Sequence, residues 1–242
     1  MCNTIRNINF SSWITKLKRK LFAYLGIYGR NSYAQCGEDL IIDFIFNTLE
    51  IYKPSYLDIG AHHPKYINNT YFFYKNGSKG VNVEPDKNLL RAFKFQRKRD
   101  VNLNIGVGVK AGIMDFYVIS SRTLNTFSKV EADRYLDEFG FKLMETRKIK
   151  IRTTNDIIKE YFLDSPDLIS IDVEGMDYDI LESINLATYR PIVICIETMS
   201  YSESGAGERD YRIDHYLNEN GYMKYAETYI NTIYVEKKKW LR

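Results

Sequence analysis

Ser55-Tyr56-Leu57-Asp58-Ile59-Gly60-Ala61-His62-His63-Pro64 decides the reading of this chain. Residues 55–59 form a short apolar run that stops at a glycine. Such a run, bounded by turn residues, reads as a strand buried on both faces. The small residues after it let another group approach the backbone closely. Upstream, Glu38 to Glu50 carries Leu40, Ile41, Phe44, Ile45 and Leu49 at helical spacing. Downstream, Asn69 to Lys75 reads as a helix, Gly80 to Glu84 as a second strand, Lys87 to Arg97 as a helix and Val101 to Val107 as a third strand.

The alternation continues. Met114 to Ile119 and Lys148 to Arg152 read as strands around a helix over Lys129 to Phe139. Thr154 to Phe162 reads as a helix capped by Thr153 or Asn155. Leu168 to Val173 and Ile192 to Glu197 are apolar strands, with helices over Tyr178 to Ile184 and Glu208 to Asn218. Tyr222 to Glu227 and Asn231 to Glu236 read as an antiparallel pair. Alternating strands and helices predict an α/β fold whose mostly parallel sheet is covered on both faces, with an antiparallel terminal hairpin at one edge. The 242 residues suffice for one such domain, over 31–242, behind a basic amphipathic extension over 1–30.

Charge separates these two parts. Arg6, Lys16, Lys18, Arg19, Lys20 and Arg30 precede the first acid, Glu38, so a net +3 chain has a body of net −3. A mildly acidic body excludes a dedicated nucleic-acid binder. Trp13, Ile14, Leu17, Leu21, Tyr24 and Leu25 recur at helical spacing over 12–25, before a break at Gly26 and Gly29. This helix is expected to dock on its own domain; a second copy in a homodimer, another partner or an anionic membrane surface are the alternatives. Leu21 to Tyr28 ends in Gly29 and Arg30 without a small-residue cleavage site, so it is not read as a signal peptide. No run reaches the roughly 18 apolar residues of a transmembrane span. Cys2, Cys36 and Cys195 match no metal or disulfide spacing, and reduced thiols point to the cytoplasm.

In open α/β sheets ligands bind beyond the carboxyl ends of the strands. The polar residues expected there are Asp58, Glu84, Asp172 with Glu174, and Glu197. Gly60 and Ala61 after one strand and Glu84 after the next suit an adenosine-type ligand, with Glu84 accepting from ribose hydroxyls. Nicotinamide dinucleotide and S-adenosylmethionine (SAM) fit equally on that geometry. The first turn lacks the glycine pattern that seats a pyrophosphate, and Gly106, Gly108 and Gly112 have the wrong spacing for it, which favours SAM over an NAD-type oxidoreductase.

These segments resemble the FkbM-type family of SAM-dependent methyltransferases. The likeness rests on Tyr33-Ala34-Gln35-Cys36-Gly37-Glu38-Asp39, Leu57 to Pro64, Asn69-Thr70, Val81-Asn82-Val83-Glu84-Pro85, Thr123-Leu124-Asn125-Thr126-Phe127 and Ile171-Asp172-Val173-Glu174-Gly175. It implies a Rossmann-like class I methyltransferase fold with a seven-stranded sheet. It also implies that Asp58, Gly60 and Ala61 line the methionine end of SAM, that Glu84 holds the ribose, that the strand end from Ile105 to Val107, with Gly106 and Val107, flanks adenine, and that Gln35 and Glu38 help close the pocket. His62, also expected at the cofactor, stands where many members carry Asn. The family's O-methylation of sugars, glycolipids and natural products implies a small-molecule sugar acceptor, nucleotide-activated or part of a surface-polysaccharide precursor; a non-sugar small molecule or lipid is the alternative.

A sugar hydroxyl is a weak nucleophile, so methyl transfer to it needs a base or a metal. His63 is the expected base. Asp172 and Glu197, ending adjacent strands, are the expected catalytic carboxylates and, with His215, an expected Mg²⁺ or Mn²⁺ ligand set. Asp172 is also expected to contact the cofactor. Ser121 to Gly140 and Ser200 to Asp210 are expected to shape the acceptor pocket.

Overall fold

The apolar strands lie side by side, and their alternate residues feed two different cores. Leu57 and Ile59, Val81 and Val83, Ile169 and Ile171, and Ile194 and Ile196 pack on one face of the sheet. Tyr56, Leu168, Val193 and Cys195 pack on the other. Successive side chains of a strand point to opposite faces, so a strand with both sets apolar must be covered twice. Helices α5 (Thr154–Tyr161), α6 (Asp177–Ser183) and α7 (Tyr211–Glu219) cover the first face with Ile157, Ile158, Ile180, Leu181, Ile213 and Leu217. Helices α1 (Glu38–Thr48) and α2 (Tyr71–Lys75) cover the second with Ile42, Ile45, Phe46 and Phe73.

In this computed structural model residues 17, 20–22, 24–26, 29–202 and 207–242 are described. The chain divides into two units, Met1–Asn31 and Ser32–Arg242. In the first, Leu17, Lys20, Leu21, Phe22 and Tyr24 are helical; the rest of the helix expected over 12–25 lies outside the described residues. Among the described residues no helix is long and apolar enough to cross a membrane.

The second unit holds a seven-stranded sheet in the order β3-β2-β1-β7-β8-β10-β9. Its strands are β1 (Tyr56–Ile59), β2 (Gly80–Val83), β3 (Val101–Leu103), β7 (Leu168–Ile171), β8 (Val193–Glu197), β9 (Tyr222–Glu227) and β10 (Asn231–Glu236). All pairs are parallel except those of β10 with β8 and β9. This is the Rossmann-like sheet with a terminal hairpin that the sequence predicts. In register, Ile59 sits between Val83 and Ile171, which brings the ends of β1, β2 and β7 level. Thr153 caps α5, its Oγ1 accepting from Asp156 N at 3.1 Å.

One expectation is corrected. Val101 to Val107 is not a single strand. After Leu103 the Asn104 side chain donates to the carbonyls of Glu84 (2.9 Å) and Pro85 (2.8 Å), and the chain turns there. Gly106–Val107 becomes β4 of a second sheet, ordered β4-β6-β5, with β5 (Gly112–Ile119) and β6 (Leu143–Arg152). The strand read over 148–152 starts five residues earlier, at Leu143, in a stretch that is mostly exposed and so carries no apolar pattern. Helices α3 (Lys87–Gln96), α4 (Lys129–Asp137) and α8 (Lys237–Trp240) complete the unit.

Candidate active site

The strand order reverses between β1 and β7, and the crevice of such a sheet opens beyond the carboxyl ends of those strands. A pocket of about 260 Å³ lies there. Its apolar lining comes from the end of β2 (Val83, Pro85), from α3 (Leu89), from the second sheet (Gly106, Val107, Phe116) and from Phe127 ahead of α4. Its acidic lining comes from the ends of β7 and β8: Asp172, Glu174 and Glu197. Gln35, Gly60, His62, Glu84, Arg122, Thr123, Asn125 and Tyr201 are among the rest.

The turn after β1 is built to stay thin. Gly60 has φ +81°, and a Cβ there would lie 1.7 Å from the carbonyl oxygen of Asp172. Gly60 N and Ala61 N both donate to Val83 O at 3.1 Å, and Asp172 N donates to Ile59 O at 3.0 Å. His62 follows with φ 49°, a left-handed conformation uncommon for a residue with a side chain. Its N–H donates to Glu84 Oε2 at 2.9 Å, while Asp86 N donates to Oε1 at 2.7 Å. Glu84 therefore fixes both loops at the pocket floor. Burial pushes its carboxyl up to about 8, against the pull of those two N–H donors.

Three residues expected at the cofactor stand behind the lining. Asp58 is buried and accepts from Thr70 Oγ1 (2.7 Å) and Asn68 Nδ2 (3.1 Å). Ala61 is buried against Leu90 and Phe93. Glu38 is fully buried, and its Oε1 accepts from Thr228 Oγ1 (2.6 Å) and Asn231 Nδ2 (3.2 Å) while Oε2 accepts from Cys36 N at 2.8 Å. Asp39 takes Ser32 Oγ at 2.6 Å and Tyr33 N at 2.7 Å, so these two acids hold the strap that carries Gln35.

Asp172, Glu174 and Glu197 each offer an oxygen within 4.8 Å of the others. Glu174 has φ 54°, and its Oε2 accepts from Tyr135 OH at 2.8 Å. Thr126 Oγ1 donates to Glu174 O at 2.7 Å. Asp177 braces the turn by accepting from Val173 N (3.1 Å) and Gly175 N (3.2 Å). Burial first and neighbouring carboxylates second raise the pKa of Asp172, Glu174 and Glu197; Asp172 is pushed up to about 7. Burial and mutual repulsion thus disfavour the ionised forms of these groups, and a cation among them would favour ionisation.

Two histidines lie away from this pocket. His215 lies on α7, exposed, with Nε2 3.3 Å from Glu219, and it belongs neither to the pocket lining nor to the carboxylate group. One helical turn separates it from Glu219, and that pairing directs it to solvent. His63 does not line the pocket either; its Nδ1 accepts from Lys65 N (3.2 Å) and Tyr66 N (2.9 Å). His62 is the histidine that faces it, and burial lowers its pKa.

Other lining residues fall in the two segments flagged as acceptor-shaping: Arg122 to Asn125 with Phe127, and Tyr201; residues 203–206 lie outside the described residues. Asn125 is the most informative of them. Its Oδ1 accepts from Ile119 N at 2.9 Å, but its Nδ2 is buried without a partner. Tyr135 gave no signal in the sequence, because a tyrosine inside an amphipathic helix reads as core.

The family model for the methyltransferase FkbM domain matches residues 58–223. No curated protein sequence matches the chain. Among solved structures it is similar to a TehB-like SAM-dependent methyltransferase from Corynebacterium glutamicum (11% identity, 93% of this chain and 100% of that one, TM-score 0.42). It is also similar to a methyltransferase from Geobacter sulfurreducens (10% identity, 93% and 89% covered, TM-score 0.44). A third is an O-methyltransferase from Bacillus cereus in complex with S-adenosylhomocysteine (12% identity, 95% and 92% covered, TM-score 0.44).

Proposed function

The chain belongs to the FkbM methyltransferase family, and from that premise we propose that it moves the methyl group of SAM to a hydroxyl of a sugar, in a cytoplasmic step of surface-polysaccharide or nucleotide-sugar synthesis. The observation that carries this reading is one pocket with two chemistries. The apolar wall of Val83, Pro85, Val107 and Phe127 suits a purine, and the wall of Asp172, Glu174 and Glu197 suits a polyhydroxyl group. Residues 31–242 are the catalytic domain in this reading. The oxidoreductase alternative falls with the family.

SAM supplies an electrophilic methyl on a positively charged sulfur. Glu84 orients the ribose, and the thin turn at Gly60 admits the ligand close to the backbone. Gln35, His62 and Asn125 Nδ2 contribute polar contacts. The carboxylates after β7 and β8 attract the cation, and Asp172, with a pKa near the working pH, is placed to take the acceptor's hydroxyl proton. The same three carboxylates are hard oxygen donors that fit Mg²⁺ or Mn²⁺ without His215. A metal there would acidify a chelating sugar hydroxyl.

Calorimetric titration with S-adenosylhomocysteine, with and without Mg²⁺ or Mn²⁺ and with NAD as control, tests the cofactor reading. Micromolar binding lost in Glu84→Ala is the expected result; binding of NAD instead would overturn it. Methyl transfer to a panel of nucleotide sugars, with loss in Asp172→Asn, tests the acceptor.

A further inference from the structure

We propose that the basic N-terminal segment is an in-plane anchor for an anionic membrane surface. Leu17 and Leu21 of its helix and Leu25 of the turn that follows recur every fourth residue, and Leu25 N donates to Leu21 O at 2.9 Å. These leucines are 53–56% exposed and Tyr24 is 88% exposed. Exposed leucines in one row are costly in water and call for an apolar phase.

The sequence pattern says which phase. On a helical wheel of the sequence alone, at about 100° per residue, Trp13, Ile14, Leu17, Leu21, Tyr24 and Leu25 would fall within an arc of about 120°. Lys18 and Lys20 fall at the two rims of that arc, with Lys16 and Arg19 beyond them. Lysines at the rims can lay their stems along the apolar face and lift their ammonium groups to headgroup level. Trp and Tyr favour the same depth. No acid occurs among residues 1–37, so nothing in the segment offsets its attraction to anionic lipid. A protein-docking helix has no such need of unbroken positive charge. A helix of this kind lies in the interface plane and does not cross it, consistent with the lack of a membrane-spanning helix among the described residues.

The inference stands apart from the methyl-transfer reading. Its test is flotation of the full chain with vesicles of phosphatidylcholine alone, or of equal parts phosphatidylcholine and phosphatidylglycerol. The protein is expected to float only with the anionic vesicles and to be released as salt rises. Leu17→Glu/Leu21→Glu should cut partitioning by about tenfold or more, and Lys18→Glu/Lys20→Glu by about twenty-fivefold or more, since each basic residue at the surface contributes roughly fivefold. Unchanged S-adenosylhomocysteine binding in both variants would show that the domain is intact. Equal partitioning of wild type and variants, or no preference for anionic lipid, would overturn the proposal. So would a dimer in sedimentation that becomes monomeric in Leu17→Glu/Leu21→Glu while wild type ignores both vesicles.

Discussion

Gly60 and Asp172 meet back to back where β1 and β7 end: a single methyl group added at Gly60 would sit 1.7 Å from the Asp172 carbonyl oxygen. The two strands can end level, and the turn can stay thin, only because nothing projects there. Gly60→Ala must therefore open the β1–β7 crevice as well as strain a φ of +81°. The expected outcome is a loss of at least about 2 kcal/mol in urea unfolding, since a misplaced side chain at a left-handed position and a core clash each cost about 1–3 kcal/mol. Calorimetry should find no binding of S-adenosylhomocysteine. A variant that binds as wild type would show that the turn relaxes freely.

Glu84 is the natural second target, because its two oxygens already hold the backbone N–H groups of His62 and Asp86. In the proposed binding mode a ribose would use the remaining lone pairs, and a proton on the carboxyl would compete for them. Its pKa is pushed up to about 8 in the free protein. Affinity for S-adenosylhomocysteine should therefore rise as pH increases toward 8 and level off above it. Glu84→Gln removes the charge and, because its NH2 cannot accept, also leaves one of the two backbone N–H groups without its partner. Its binding should be weaker by about tenfold at alkaline pH, as expected when a charge-assisted bond becomes neutral, and should lose the pH dependence carried by Glu84.

The carboxylates after β7 and β8 make a stability prediction of definite sign. Burial raises the folded-state pKa of Asp172, Glu174 and Glu197, so the folded protein holds protons that the unfolded chain releases. Stability from this source is complete below the ordinary carboxylate range and is lost as pH rises through the folded-state values. The Tm of the ligand-free protein should fall from mildly acidic to alkaline pH. Glu197→Gln removes one of the repelling charges, so its Tm should fall less, with the gap to wild type widening as pH rises. A gap independent of pH would rule the cluster out as the cause.

Much of this was legible in the sequence, and the reason is local. β1, β2, β7 and β8 are runs with both faces buried, and such runs announce themselves. The switch point follows from their order, so Asp172 and Glu197 could be set at one edge from spacing alone. The second sheet was not legible. β4 has two residues, and the outer half of β6 is exposed, so neither carries a period. The histidines' orientation was not legible for a different cause. Proximity in sequence put His63 in the site loop, but orientation depends on two backbone N–H groups that bind its Nδ1. Glu174 was visible as a residue beside Asp172; that Tyr135 holds it depends on how α4 packs.

Arg97 is a fully buried cation that ties the loop carrying His63 to the sheet. Its guanidinium donates to Asp100 Oδ2 (2.8 Å), Pro64 O (3.1 Å), Asn68 Oδ1 (3.1 Å), Tyr56 OH (3.0 Å), Thr70 Oγ1 (2.9 Å) and Asn82 Oδ1 (3.2 Å). Arg97→Met would leave Asp100 and Asp58 buried with no opposing charge. Removing one partner of a buried pair costs about 3–5 kcal/mol, and urea unfolding should register a loss of that order. Arg97→Lys should recover little of it, because one ammonium cannot serve acceptors arranged around a planar fork.

Asn125 separates a binding role from a packing role more cleanly than any other lining residue. Its Nδ2 is buried with no partner, so in the ligand-free protein it contributes desolvation cost and no hydrogen bond. Its Oδ1, by contrast, accepts from Ile119 N. Asn125→Asp keeps that acceptor and removes the orphan donor. If the donor serves the ligand, calorimetry on Asn125→Asp should find S-adenosylhomocysteine bound about five- to tenfold more weakly, the value of one lost hydrogen bond of about 1–1.5 kcal/mol. Asn125→Ala should lose the same affinity and also some stability, because Ile119 N then lacks its acceptor. Unchanged affinity in Asn125→Asp would assign Asn125 to holding the 119–125 turn alone, and the pocket's polar contacts would have to come from Gln35, His62 and Glu84.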